Sequence, residues 1–120
     1  MLHEDITAKI LEAWFEVANE LGPGFIESVY ENALLLALRQ KGMTARSQVP
    51  ISVSFRGETV GEFVGDIVVA GKILLELKAA KALTPEHQAQ VINYLKATGL
   101  EVGLLVNFGR PKLEYRRLHG

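Results

Sequence analysis

Residues 61–79 read GEFVGDIVVAGKILLELKA: two apolar runs, joined at Ala70-Gly71, that carry acids inside stretches suited to buried strands. Alternating, β-branched runs punctuated by a short turn predict an antiparallel hairpin. In the second run positions 73, 75 and 77 are Ile, Leu and Leu, whereas 74, 76 and 78 are Leu, Glu and Lys. One face is core and the other is mixed. The plainest account of the mixed face is an amphipathic antiparallel strand whose Glu76 and Lys78 each form solvated pairs with a neighbouring strand, an arrangement that contributes little to stability.

Asp66 points elsewhere. It stands among Phe63, Val64, Ile67, Val68 and Val69, where a lone carboxylate loses hydration unless something positive is near. Two carboxylates and an ammonium on adjacent strands meet that need together by holding a divalent cation, since hard Mg²⁺ takes oxygen ligands and keeps several waters. Register decides between the readings, because directly opposed residues of an antiparallel pair share a face. A two-residue Ala70-Gly71 turn pairs Val69 with Lys72 and puts the carboxylates on opposite faces. Pairing Val69 with Ile73 sets Asp66 opposite Glu76, which needs a three-residue loop or a bulge, with Gly65 as a plausible bulge site.

Outward from this hairpin, Ile6, Ile10, Leu11, Trp14, Phe15, Ala18 and Leu21 recur at helical spacing behind Asp5 or Thr7 as caps, and Gly22-Pro23-Gly24 ends that helix. A second helix is expected over about 26–41, stopped by Gly42. Short β-type runs follow at 46–49, 51–55, 59–69 and 73–78, with Pro50 separating the first two. Thr84-Pro85 opens a third helix that runs to Thr98 and closes at Gly99. The apolar run 102–108 reads as a buried strand, and a short strand near Tyr115 can follow. With a helix between them, strands 73–78 and 102–108 can lie parallel in a mixed sheet. The expected order is ααββββαβ, an α/β (α+β-like) single domain over 1–120. Gln90 and Tyr94, four apart on the third helix, share a face able to lean over the carboxylates. Glu27 opens the second helix, where an acid also complements the helix dipole.

The composition is that of an ordinary globular chain: 120 residues, 48% hydrophobic, 22% charged, net charge −1. No apolar run approaches membrane-span length, and the N-terminus lacks the basic start and apolar core of a secretion signal. With no cysteine, disulfide frameworks and thiolate metal sites are excluded, and a reducing cytoplasmic setting is expected. His3, His87 and His119 lack zinc spacing, and phosphate-binding glycine loops and nucleophile elbows are missing. A carboxylate-pair glycosidase fits poorly, because Lys78 would sit on the acid that must stay protonated. Near the C-terminus, Arg110, Lys112, Arg116 and Arg117 against Glu114 make a basic end able to lean on phosphates, though a solvated terminal strand is the simpler account.

Asp66, then Glu76-Leu77-Lys78, then Gln90-Val-Ile-Asn-Tyr94 resemble the ordered motifs of the PD-(D/E)XK nuclease superfamily. LGPGFIESVYENAL, QVPISV, ELKAAKALTPEHQAQVINYLKATG and GLLVNFG together resemble the GxxExxR family of small bacterial proteins, over roughly residues 5–110. The resemblance implies a restriction-endonuclease-like core, a mixed β-sheet flanked by helices. It implies Asp66, Glu76 and the Leu77 carbonyl as ligands of Mg²⁺, with Mn²⁺ as a substitute, and Lys78 at the nucleophile with Gln90 supporting it. Glu27 falls in the first-motif position, with Glu31 as a weaker candidate. Two departures stand out: Tyr30 occupies the place of the family label's arginine, and Val64-Gly65 precede Asp66 without a proline. The implied activity is Mg²⁺-dependent hydrolysis of nucleic acid, DNA before RNA; because 120 residues leave little surface beyond such a site to hold a duplex, a homodimer or larger complex is expected. The alternative is a nuclease-like fold that no longer cuts and serves as a nucleic-acid-binding or protein-interaction module.

Overall fold

Nonpolar side chains on both sides of residues 73–77 require cover on both sides of the sheet, and the chain supplies it. The structure, a computed structural model, describes residues 1–109 and 113–120. Its elements are α1 (Glu4–Leu21), α2 (Glu27–Gln40), β1 (Ala45–Phe55), β2 (Glu58–Val69), β3 (Ile73–Lys78), α3 (Pro85–Thr98), β4 (Val102–Asn107) and β5 (Glu114–His119). The five strands form one mixed sheet in chain order. Pairings β1–β2, β2–β3 and β4–β5 are antiparallel, whereas β3 and β4, joined through α3, are parallel.

On one face, Ile10 and Trp14 of α1 and Tyr30, Leu34 and Leu38 of α2 pack against Ile67, Ile73, Leu75, Leu104 and Val106. On the other, Val91, Tyr94 and Leu95 of α3 pack against Ile51, Leu74 and Leu105. Fully burying each such side chain contributes about 1.5–3 kcal/mol. Residues 73–77 are all buried, and Glu76 is only 3% exposed, so Glu76 does not form a solvated cross-strand pair.

The observed order is ααβββαββ instead of ααββββαβ. Runs 46–49 and 51–55 are a single strand through Pro50, which pairs with Val64. Because β1 is an edge strand, a residue without an N–H is tolerated there. The strand near Tyr115 is real and forms the opposite edge. α1 starts at Glu4 with no side-chain cap, so Asp5 and Thr7 lie inside it. α3 begins as its sequence predicts: Thr84 Oγ1 accepts the His87 N–H at 3.2 Å and His87 Nδ1 accepts the Thr84 N–H at 3.1 Å, with Pro85 first in the helix and Gly99, φ 78°, after it.

Candidate active site

The β2–β3 turn carries out both alternatives that its sequence allows. Ala70 and Gly71 have φ of 55° and 65°, and the Lys72 N–H donates to Val69 O at 3.0 Å, as in a two-residue hairpin turn. Lys72 is nevertheless left outside the ladder, which begins at Val69↔Ile73 and continues through Val68↔Leu74 to Ile67↔Leu75. Asp66 therefore stands opposite Glu76. Gly65 is not the site of the offset. A Cβ there would lie 3.0 Å from Leu74 Cδ1 and 3.1 Å from Ile51 Cδ1, so its smallness serves close packing.

Past Ile67 the two strands part. β2 stays with β1, as in Val49↔Gly65, while β3 stays with β4 from Glu76↔Leu105 to Lys78↔Asn107. Side chains fill the fork: the Asp66 N–H donates to Glu76 Oε2 at 2.5 Å, and the Leu77 N–H donates to Asp66 Oδ2 at 2.9 Å. Since the Leu77 N–H points toward β2, the carbonyl of that extended residue faces the same gap. A carboxylate has about four acceptor sites, so accepting one N–H leaves each acid capacity for a cation.

Burial drives both acids upward. Desolvation raises Asp66 to about 6, opposed by the Leu77 N–H and Lys78 and reinforced by the charges of Glu31 and Glu27. Desolvation and then the charge of Asp66 raise Glu76 to about 8, opposed by the Asp66 N–H and Lys78 and reinforced by Glu31. The fork thus holds more acid than its one lysine balances, the condition that a divalent cation relieves.

Lys78 Nζ donates to Gln90 Oε1 at 3.4 Å, so α3 reaches the fork through Gln90. Tyr94 is largely buried one turn on, and burial followed by the charges of Glu76 and Asp66 raises its hydroxyl above its ordinary value. A groove of about 890 Å³ runs from Gln90 and Tyr94 to Ser52 and Phe63 of the β1–β2 hairpin. Among the described residues, no three His, Asp or Glu side chains gather closely enough to hold a metal. Mg²⁺ sites, however, need only one or two carboxylates beside backbone oxygen and water, and Asp66, Glu76 and the Leu77 carbonyl provide that donor set.

The remaining candidates are dispersed. Glu31, one turn beyond Glu27, raises both buried acids by its charge, and Glu27 raises Asp66. Arg117 turns to the α1 face: its guanidinium donates to Thr7 Oγ1 at 2.9 Å and to Leu2 O. Arg116 donates to Tyr115 O at 2.9 Å and lies 3.9 Å from Glu114. Arg110 and Lys112 lie outside the described residues.

Sequence reading overlooked Asn107, which is fully buried at the end of β4. Its Oδ1 accepts the N–H groups of Ala80 and Gly109, both at 3.0 Å, and its Nδ2 donates to Ala80 O at 2.9 Å and Glu114 Oε1 at 3.2 Å. Glu114 Oε1 also accepts the Leu83 N–H at 3.0 Å. This clamp pins the chain as it leaves Lys78. The signal was a lone amide inside the apolar run 102–108, since buried polar groups demand partners.

The amino-acid sequence matches the family described as the PD-(D/E)XK nuclease superfamily over residues 4–118. A search of the curated proteins gave no match. Among solved structures the fold is similar to the one titled "Crystal structure of SSO0001", with a TM-score of 0.61, 18% sequence identity, and coverage of 77% of this chain and 48% of that chain. This chain thus spans about half the length of that solved protein, and the likeness is one of fold.

Proposed function

This chain belongs to the PD-(D/E)XK nuclease superfamily, and from that premise we propose that it is a Mg²⁺-dependent nuclease that hydrolyses phosphodiester bonds, DNA before RNA. The observation that supports this most is the fork itself, where Asp66 and Glu76 face each other with Lys78 beside them. In this reading Asp66, Glu76 and the Leu77 carbonyl hold the cation. A bound divalent ion supplies Lewis-acid activation of water and neutralises phosphate charge, and Mn²⁺ substitutes for Mg²⁺.

Lys78 has two tasks in the proposal: to orient the attacking water by donating a hydrogen bond to its oxygen, and to offset charge that builds on the nonbridging oxygens as phosphorus gains a fifth bond. Water adds to phosphorus, one ester oxygen leaves, and the proton released by water ends on that oxygen or in solvent. Gln90 holds the ammonium in place through the bond it accepts from Lys78 Nζ. Tyr94 lines the approach, with Glu27 or Glu31 adding negative charge on the α2 side.

The finer likeness to the GxxExxR family belongs to the same proposal, with Tyr30 replacing arginine. Tyr30 is buried, stacked on Phe108 at 4.4 Å between centroids, and a guanidinium has no comparable place in that apolar stack. We also place the protein in the cytoplasm as a homodimer or part of a larger complex, a form that light scattering of the purified chain tests.

The deciding experiment compares wild type with Lys78→Ala on single-stranded, duplex and branched DNA and on RNA, with Mg²⁺ or Mn²⁺. Cleavage by wild type that the variant loses is expected. Cleavage by neither protein on any substrate overturns the enzyme reading in favour of an inactive binding module.

A further inference from the structure

We propose that Gln48 is a positioning residue that holds Glu31 beside the Asp66 rung of the fork, as an outer carboxylate and not a ligand of the cation; the inference rests on the cation-binding reading of the Asp66–Glu76 pair. It starts from an irregularity in β1. Ser47 pairs with Ile67 and Val49 with Gly65, which places Gln48 across from Asp66, yet the ladder skips that rung. Gln48 has φ of 52°, a left-handed value for a long, non-glycine side chain inside a strand. Such conformations persist only where surrounding structure holds them, and they gather at functional sites.

The strands also turn over here. Ala45, Ile67 and Val69 belong to the core beneath α1 and α2, whereas Ile51 belongs to the core beneath α3, and a Cβ on Gly65 would point at Leu74 and Ile51. Regular alternation would keep all of these odd-numbered residues on one side. The change of face falls at the Gln48–Asp66 rung.

What the irregularity achieves is visible at the tip of the side chain. Gln48 Nε2 donates to both Glu31 Oε1 and Glu31 Oε2, each at 3.0 Å. A glutamate near the surface otherwise samples many rotamers, and a two-point contact removes that freedom. Because Gln48 stands at the rung across from Asp66, the same contact sets Glu31 beside that rung. If β1 needed only a kink, glycine would supply it without strain.

Gln48→Gly separates these roles. Calorimetric titration of the metal-free full chain with Mn²⁺ alone is paired with thermal melting. We expect Gln48→Gly to melt at or above the wild-type temperature while its Mn²⁺ dissociation constant weakens by about tenfold. Glu31→Ala should weaken binding similarly, and the double variant should lose no more than either single one, as for residues acting through one contact. Wild-type Mn²⁺ affinity in Gln48→Gly overturns the proposal.

A metal-free measurement distinguishes this failure from failure of the cation reading. The side-chain NH₂ resonances of Gln48 should shift in Glu31→Ala, and unchanged resonances overturn the positioning role even where Mn²⁺ binds. Mn²⁺ binding that is absent, or equal in wild type and Asp66→Asn, sinks the cation reading instead; a shifted Gln48 resonance then still supports the Gln48–Glu31 hold.

Discussion

Glu76 accepts the main-chain N–H of Asp66 at 2.5 Å, at the rung where the β2–β3 ladder gives way to side chains. A carboxylate does there what a carbonyl does elsewhere in the sheet. Two acids are consequently held in a place where ionisation is disfavoured, which ties stability, metal binding and pH together.

The metal-free protein should lose stability from this pair as pH rises. Asp66 is raised from 3.8 to about 6 and Glu76 from 4.5 to about 8, so the folded state binds protons that the unfolded state has released. Below about pH 3 both states are largely protonated and there is no penalty; it grows between about pH 4 and pH 8 and then levels off. Melting in the presence of a chelator, compared with Asp66→Asn/Glu76→Gln, should show a wild-type deficit that widens over that range. A constant difference between the two proteins would contradict it.

Divalent cations should reverse the penalty. Ligands bind metal in their deprotonated form, so Mg²⁺ or Mn²⁺ should raise the melting temperature more at pH 8 than at pH 5. At a hundredfold excess over Kd the gain is about 2.7 kcal/mol. Equal stabilisation at both pH values, or equal stabilisation of Glu76→Gln, would remove these acids from the binding site.

Gly109→Ala should damage the clamp beside Lys78. A Cβ on Gly109 would lie 2.1 Å from Ala80 O and 2.3 Å from Ala80 N, both backbone atoms that cannot step aside. The expected loss is about 2–4 kcal/mol, measured by urea denaturation. Faster hydrogen exchange at Ala80 and Leu83, whose N–H groups bond to Asn107 and Glu114, would locate the damage. A near-neutral result would show that the clamp yields easily.

Tyr30→Phe tests a second tie. The Tyr30 hydroxyl donates to Gly22 O at 2.5 Å and accepts the Phe25 N–H at 3.1 Å, fastening the α1–α2 turn. Removing it should cost about 1–3 kcal/mol while the ring keeps its stack on Phe108. Tyr30→Arg should lose far more, since it places a charge in that stack. Equal melting of Tyr30→Phe and wild type would show that the hydroxyl contributes nothing.

Local chemistry made much of this fold legible. Thr84-Pro85 and Gly99 bracket α3 because caps and left-handed glycines act through nearest neighbours, and the run 102–108 could only be a covered strand. Pro50 misled because its meaning depends on whether β1 lies at an edge, a property of the whole sheet. The facing of Asp66 and Glu76 stayed open because Ala70-Gly71 satisfies a two-residue turn; the fate of Lys72 is settled by packing on both sides of β3. Glu27 and Glu31 share a helix face, and no local rule tells which of them Gln48 reaches.

Lys72 makes a wider point through its place outside the ladder. Were the chain one residue shorter there, the same letters would follow in the same order, the turn would close cleanly, and the acids would stand back to back across the sheet. A motif search would score both chains almost alike. In this protein the chemistry is a matter of counting before it is a matter of spelling.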